Sequence, residues 1–250
     1  MNIGLGVELL KIESQVLKKT VLRITEPNNF DWFYRNEDSI LKALHPFYIQ
    51  ILIKSSEIST IHNYEGLGFK FVEFRIKRIV NLANFEFSTK SHYPLEGRII
   101  TDSSEQGKAC SILQADNSDD RFSVDPCISK NLAIVRLKEY LKKAFTNYPC
   151  EFVFGLFNNV NRNELLAFRS GKKESSNEVE LNLTCIKKNV GSSNYYELLE
   201  LFTLKYLKEN GIQFVRSIST GFNIKELNIS LTKVNYQIDS TWVMLRKIYN

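Results

Sequence analysis

Apolar positions recur with period two in some stretches of the chain and with a helical period in others, and the switches between them mark its elements. Leu5 to Leu22 fits either a strand-turn-strand or an opening strand and helix. Asn28 to Leu44 opens on Asn-Asn and acidic residues and reads as a helix. It ends before Pro46, because the residue preceding a proline avoids the α region. Phe47 to Ile53 alternates as a strand, and Ser55-Ser56-Glu57 can cap a helix running to about Tyr64, ended by Gly66 and Gly68. Phe71 to Val80 alternates again, with one wet face. Asn84 to Ser111 is less regular, with a short helix expected over Glu105 to Cys110.

The polar, acidic run Ala115 to Asp120 is the best candidate for a boundary between two units, residues 1–116 and 117–250. Beyond it, an amphipathic helix from about Ser129 to Thr146 is stopped by Pro149. Glu151 to Phe157 and Glu164 to Arg169 form a hairpin around an Asn-rich turn, and Ser170 to Asn177 reads as a polar turn. Glu178 to Lys187 is a clean alternating strand, and Asn189 to Asn194 is a small-polar loop. Tyr195 to Asn210 is a helix ended by Gly211. Phe214 to Thr220, Lys225 to Lys233 and Ile238 to Leu245 complete the order α-β-β-β-α-β-α-β as strand, helix and strand.

Two 23-residue segments echo each other. Phe47 to Phe69 and Phe214 to Tyr236 each pass from a strand through a helix to a step of apolar, small and aromatic residues: Leu67-Gly68-Phe69 in one, Val234-Asn235-Tyr236 in the other. A strand-helix-strand unit used twice predicts two related halves facing each other.

Composition narrows the chemistry. An apolar fraction of 43% over 250 residues supports a proper core, and 17 Phe with 11 Tyr suit sheets packed against helices. No apolar stretch approaches the length of a membrane span, and the N-terminus lacks the basic-then-apolar order of a secretory signal. Cys110, Cys127, Cys150 and Cys185 form no CxxC pair, which argues against a zinc site or disulfide framework and for a reduced, cytoplasmic protein. His45, His62 and His92 all lie in the first half and have no metal-ligand neighbour, so no metal site and no His-based triad in the second half are expected. The net charge of +5 is spread over separated lysine pairs, unlike the concentrated stripe of a nucleic-acid binder, and suits an anionic ligand.

The order of elements from Arg121 to Tyr249 resembles the GCN5-related N-acetyltransferase (GNAT) superfamily. More narrowly, the chain looks like two-domain amino-sugar acetyltransferases of the dTDP-fucosamine type, with a smaller N-terminal half that echoes the same fold. Leu67 to Glu73 looks like the linking segment of that half, and Asp120 to Pro126 like the lead-in to the catalytic half. Ser219-Thr220-Gly221-Phe222-Asn223 followed by Ser240-Thr241-Trp242 resembles the end of the fold. The resemblance implies an α/β (α+β) architecture, a mixed twisted sheet flanked by helices. It also implies a slot between the strands Glu178 to Lys187 and Phe214 to Thr220, where an acyl-CoA pantetheine arm pairs like an added strand.

The strand edge at Leu183, Thr184, Cys185 and Ile186 would supply that pairing. The loop Val190, Gly191, Ser192, Ser193 and Asn194 would meet the pyrophosphate at a helix N-terminus, and Asn223 would stand on the other wall. The loop departs from the family pattern, since Ser193 and Tyr195 occupy its glycine positions. The position of the usual tyrosine acid falls near Ser230 or Leu231. Asp125, Glu180 and Glu178 are the candidate bases and Ser230 the candidate hydrogen-bond donor, with a helix cap as the plainer role of Asp125 and a solvated strand face as that of the two glutamates. Arg121, Phe122 and Tyr236 are candidate acceptor contacts, although Tyr236 also reads as core and Cys185 as a buried apolar residue.

The expected activity is transfer of an acetyl or other acyl group from acyl-CoA to a primary amine of a small molecule, an amino-sugar nucleotide or a natural-product intermediate. The degenerate loop leaves open a scaffold without acetyl-CoA chemistry, or one served by an acyl-carrier protein. Nucleic acid and membrane are not expected partners, and a homodimer stays open.

Overall fold

The computed structural model describes residues 6–83, 85, 94–113, 121–160, 164–188 and 193–249. The expected boundary near residue 116 and the loop positions Val190, Gly191 and Ser192 lie outside them.

The opening segment takes the strand-and-helix form: β1 (Val7–Leu9), α1 (Lys11–Leu17) and β2 (Thr20–Ile24). There follow α2 (Phe30–Leu44), β3 (Pro46–Lys54), α3 (Ile58–Gly66) and β4 (Lys70–Asn81). The irregular stretch contains a strand the sequence pattern did not reveal, β5 (Leu95–Ile99), and then α4 (Ser103–Ile112). The Asp102 side chain caps α4 by accepting from the Ser104 and Glu105 N–H groups. The short α5 (Arg121–Val124) leads to α6 (Lys130–Thr146), β6 (Glu151–Asn158) and β7 (Glu164–Lys173). β7 runs through the expected polar turn because Gly171 packs under the Phe152 ring, where a Cβ would meet that ring at 2.4 Å. β8 (Glu178–Ile186), α7 (Ser193–Glu209), β9 (Phe214–Thr220), α8 (Ile224–Lys233) and β10 (Gln237–Ile248) complete the chain.

The ten strands of the described residues join one mixed sheet in the order β1-β2-β3-β10-β4-β9-β8-β7-β6-β5. The parallel pairs are β2 with β3 and β8 with β9. The units β2-α2-β3-α3-β4 and β8-α7-β9-α8-β10 therefore match, and the sequence echo is β3-α3 set against β9-α8. In both copies a left-handed residue, Gly68 at φ 86° and Asn235 at φ 57°, turns the chain into a buried aromatic, Phe69 or Tyr236. The two last strands are exchanged: β10 lies between β3 and β4, and β4 lies between β10 and β9.

Helices α2, α3, α7 and α8 cover one face. Leu199, Leu204, Leu207 and Val234 pack there on Val179, Leu181 and Val215, while Phe33, Ile40 and Tyr64 pack on Ile49, Ile51 and Leu245. Helices α1, α4, α5 and α6 cover the other face. Leu137, Leu141 and Ala144 of α6 meet Val153, Phe157 and Phe168, and Phe122 and Ala133 meet Val21 and Tyr48 of the first half. α5 and α6 thus belong to the second half by sequence and also roof the first.

Candidate active site at the opened seam

The site begins with a break in register. Between the pairs Gly171↔Leu181 and Arg169↔Thr184, β7 advances two residues and β8 three, so β8 carries one extra residue near Asn182 and Leu183. Such a bulge bends and twists its strand. The parallel pairing of β8 with β9 runs from Glu178↔Phe214 to Leu181↔Ser217 and stops there. Beyond it, residues 182–186 of β8 have no β9 partner on that side. The Ser170 hydroxyl accepts the Leu183 N–H at 3.1 Å and holds the bulge in place.

A cavity of about 400 Å³ opens at this break. Its β8 wall is Asn182, Leu183 and Thr184, its β9 wall is Ile218, Ser219 and Thr220, and Asn223 and Glu226 of α8 close one end. Arg136 and Tyr140 of α6, Glu73 and Arg75 of β4 and Arg121 of α5 also line it.

Two buried charge networks frame it. On the α6 side, the Glu13 carboxylate accepts from Arg121 Nη2 at 2.9 Å, Arg136 Nη1 at 3.4 Å and Tyr140 Oη at 2.8 Å. Burial raises the Glu13 pKa, but the two arginines and the tyrosine outweigh it and hold the carboxyl below its ordinary range. Burial, with the Glu13 charge and hydrogen bond, pushes the Tyr140 hydroxyl up to about 12. On the α7–α8 side, Arg169 of β7 donates to Thr184 Oγ1 at 2.8 Å, to Tyr196 Oη at 2.9 Å and to Glu200, and stands 3.6 Å from Glu226. Glu226 accepts from Arg78 Nη2 at 2.9 Å, Ser219 Oγ at 2.8 Å and Asn223 Nδ2 at 2.9 Å. This network ties β4, β7, α7 and α8 together beneath the seam.

Of the expected site residues, Leu183, Thr184, Asn223 and Arg121 line the cavity. Asn223 is also the N-cap of α8, its Oδ1 accepting the Glu226 N–H. Cys185 faces α4, where its Sγ lies 3.4 Å from the Ile112 carbonyl. Ile186 packs into the α7–α8 core. Ser193 and Asn194 open α7. Asp125 is buried, its carboxylate accepting from Arg246, Tyr48 Oη and the Cys127 N–H. Burial raises its pKa, but those bonds hold it below the ordinary carboxylate range. Ser230 is fully buried, donating to the Glu226 carbonyl at 2.9 Å. Phe122 stacks on Tyr48 at 5.4 Å, and Tyr236 Oη donates to Glu200 at 2.8 Å.

Glu180 stands in register with Lys172, which lines the cavity, and with Arg216. Burial, with the Glu174 charge, raises its pKa against the pull of Lys77, Lys172 and Arg216. A folded pKa above the unfolded one means full stability below the ordinary carboxylate range and a loss as pH rises through the raised value. Glu180→Gln is therefore expected to raise the melting temperature at pH 7 and leave it unchanged near about pH 3. Thermal denaturation at the two pH values checks this.

The sequence reading missed Glu73, Arg75, Tyr140 and Glu226. The wet face of β4 carried a usable signal, since Glu73, Arg75 and Lys77 alternate on one side. Arg169 and Glu200 were signalled only as lone charges within apolar runs.

Among the described residues no group of three or more His, Cys, Asp and Glu could hold a metal ion, and no described helix is long and apolar enough to cross a membrane.

The mixed sheet flanked by helices, with its duplicated β-α-β-α-β unit, matches the fold of solved GNAT structures. A tandem GNAT protein from the clavulanic acid biosynthesis pathway superposes over 91% of this chain and 75% of its own, with a TM-score of 0.63 at 10% identity. A GCN5-related N-acetyltransferase from Sphaerobacter thermophilus covers 97% and 76%, with a TM-score of 0.65 at 9% identity. A functionally unknown conserved protein from Staphylococcus epidermidis covers 95% and 89%, with a TM-score of 0.63 at 10% identity. No protein-family model matches the sequence, and no curated protein aligns with it.

Proposed function

We propose that this chain transfers an acyl group from a pantetheine thioester to a primary amine of a small molecule. One observation carries this reading: a bulged strand whose pairing ends at Leu181↔Ser217, with the cavity opening at that point. An unpaired strand edge needs hydrogen-bond partners, and an extended amide-bearing arm supplies them as an added strand would. Residues 182–184 of β8, which line the cavity, hold the arm, and a backbone N–H at the bulge stabilises the oxyanion as the amine nitrogen attacks the thioester carbonyl. The new C–N bond forms, the C–S bond breaks, and the thiolate leaves with the electron pair and takes a proton from water. The amine proton passes through water to Glu180, whose carboxylate burial makes more basic than an ordinary one. Orientation of amine and thioester in one cavity supplies the rate.

The Arg169–Glu226–Arg78 bridge beneath the seam, with Ser230 buried at the family's acid position, favours a second reading in which the scaffold serves without acyl-CoA chemistry. Calorimetric titration with acetyl-CoA and with free pantetheine separates the two. The acyl-transfer reading expects micromolar acetyl-CoA binding and release of free thiol on adding an acceptor amine. Equal, weak binding of both ligands points to a carrier-protein donor, and no heat with either leaves the second reading.

A further inference from the structure

Arg75 is placed to do something the acyl-transfer chemistry does not require. It sits on β4 in register with Thr220, the last residue of β9, at the mouth of the opened seam. Its side chain is 18% exposed and lines the cavity. Its Nε donates to Glu73 at 2.5 Å, and its two terminal nitrogens have no hydrogen-bond partner among the described residues. A guanidinium presents those nitrogens as a flat fork that matches a carboxylate. Arg121 lines the same wall and is already turned away from the cavity in part, giving Nε to Gln50 and Nη2 to Glu13. Burial and the nearby Arg121 charge both disfavour the charged form of Arg75, with Glu73 opposing them. A single negative charge at the Arg75 fork would relieve that repulsion. A second would be opposed by the Glu73 carboxylate already bonded to Arg75.

We infer that the acceptor is an amino-carboxylate, whose carboxylate is held by the Arg75 fork beside Arg121 while its amine reaches the bulge at Asn182 and Leu183. This rests on the acyl-transfer reading for the role of the amine, but carboxylate binding stands without it. Both walls belong to one cavity of about 400 Å³, which limits the acceptor to an amino acid or a short chain ending in a carboxylate. Arg75 is in this view the residue that selects the acceptor.

The experiment uses the whole chain and a ladder of ω-amino acids from glycine to 6-aminohexanoate, each beside the n-alkylamine and the aminoalkyl phosphate of matching length. Thermal shift and calorimetry read binding, and thiol release from acetyl-CoA reads transfer. At one length the amino acid is expected to bind more tightly than the alkylamine by roughly tenfold to a hundredfold. Arg75→Gln should remove that difference, and Arg75→Lys should restore part of it, which a merely structural role would not produce. Equal binding of amine and amino acid at every length overturns the inference, as does no binding by any amino acid. Tighter binding of the phosphate overturns the single-charge argument. Arg75-dependent carboxylate binding without thiol release upholds the carboxylate site and sinks the acyl-transfer reading instead.

Discussion

Arg169→Met is expected to lower the unfolding free energy by about 3–5 kcal/mol, the cost typical of stranding one partner of a buried ion pair. Arg169 is 1% exposed, and it is the cation shared by Glu200 on α7 and, more distantly, Glu226 on α8. Methionine fills much of the volume but leaves Glu200, itself 1% exposed, with Tyr236 Oη as its remaining hydrogen-bond donor among the described residues. The loss would be a large share of the stability of an ordinary domain. Chemical denaturation followed by circular dichroism measures it. The double variant Arg169→Met, Glu200→Met should recover much of the loss, because no buried carboxylate then lacks its cation. If the single variant were as stable as the parent, the network beneath the seam would contribute nothing.

Glu13→Leu is expected to cost a similar about 3–5 kcal/mol, for a different architectural reason. Glu13 lies on α1 in the first half, and its three donors, Arg121, Arg136 and Tyr140, lie on α5 and α6 of the second. Removing the carboxylate leaves cationic groups at the contact between halves without that acceptor. The pH dependence follows from the lowered pKa. A carboxyl with a folded pKa below its unfolded one adds stability above the ordinary carboxylate range and loses it as pH falls through the folded value. Glu13 and Asp125 both act in this sense. The parent should therefore lose stability on acidification, and the Glu13 variant should lose less of it. Urea denaturation at about pH 7 and about pH 4 checks the sign. Equal acid sensitivity in both proteins would remove Glu13 from the account.

The seam at the centre of the proposed reaction was partly legible. The strand Glu178 to Lys187 and the strand Phe214 to Thr220 stand out by alternation, and the resemblance placed a slot between them. The bulge did not stand out, because an extra residue in a strand is defined against its neighbour and β7 was expected to end at Arg169. The buried polar residues were harder still. Asp125 and Ser230 look like chemistry in the sequence, yet each is bonded within the folded protein, and Arg75, one of three alternating charges on β4, is singled out only once β9 is known to end beside it. A side chain's partners come from strands and helices far away in the chain, as with Arg246 for Asp125 and Glu200 for Arg169.

Most of the local elements, β5 excepted, were determined by the sequence alone. Hydrophobic period, Pro46 and Pro149, and the turn residues Gly68 and Gly211 act over a few residues, so helix and strand types, and the two echoing β-α stretches, can be read directly. Even the left-handed step before Phe69 and Tyr236 is written there as Gly68 and Asn235. The tertiary structure decided which strand lies beside which: β4 between β10 and β9, β10 between β3 and β4, and β5 at the far edge. An alternating strand states which of its faces is dry but not whose backbone it will pair with, because every strand offers the same hydrogen-bonding groups. The choice is made by burial summed over the whole sheet, and the cavity, its arginines and its opened edge exist only after that choice.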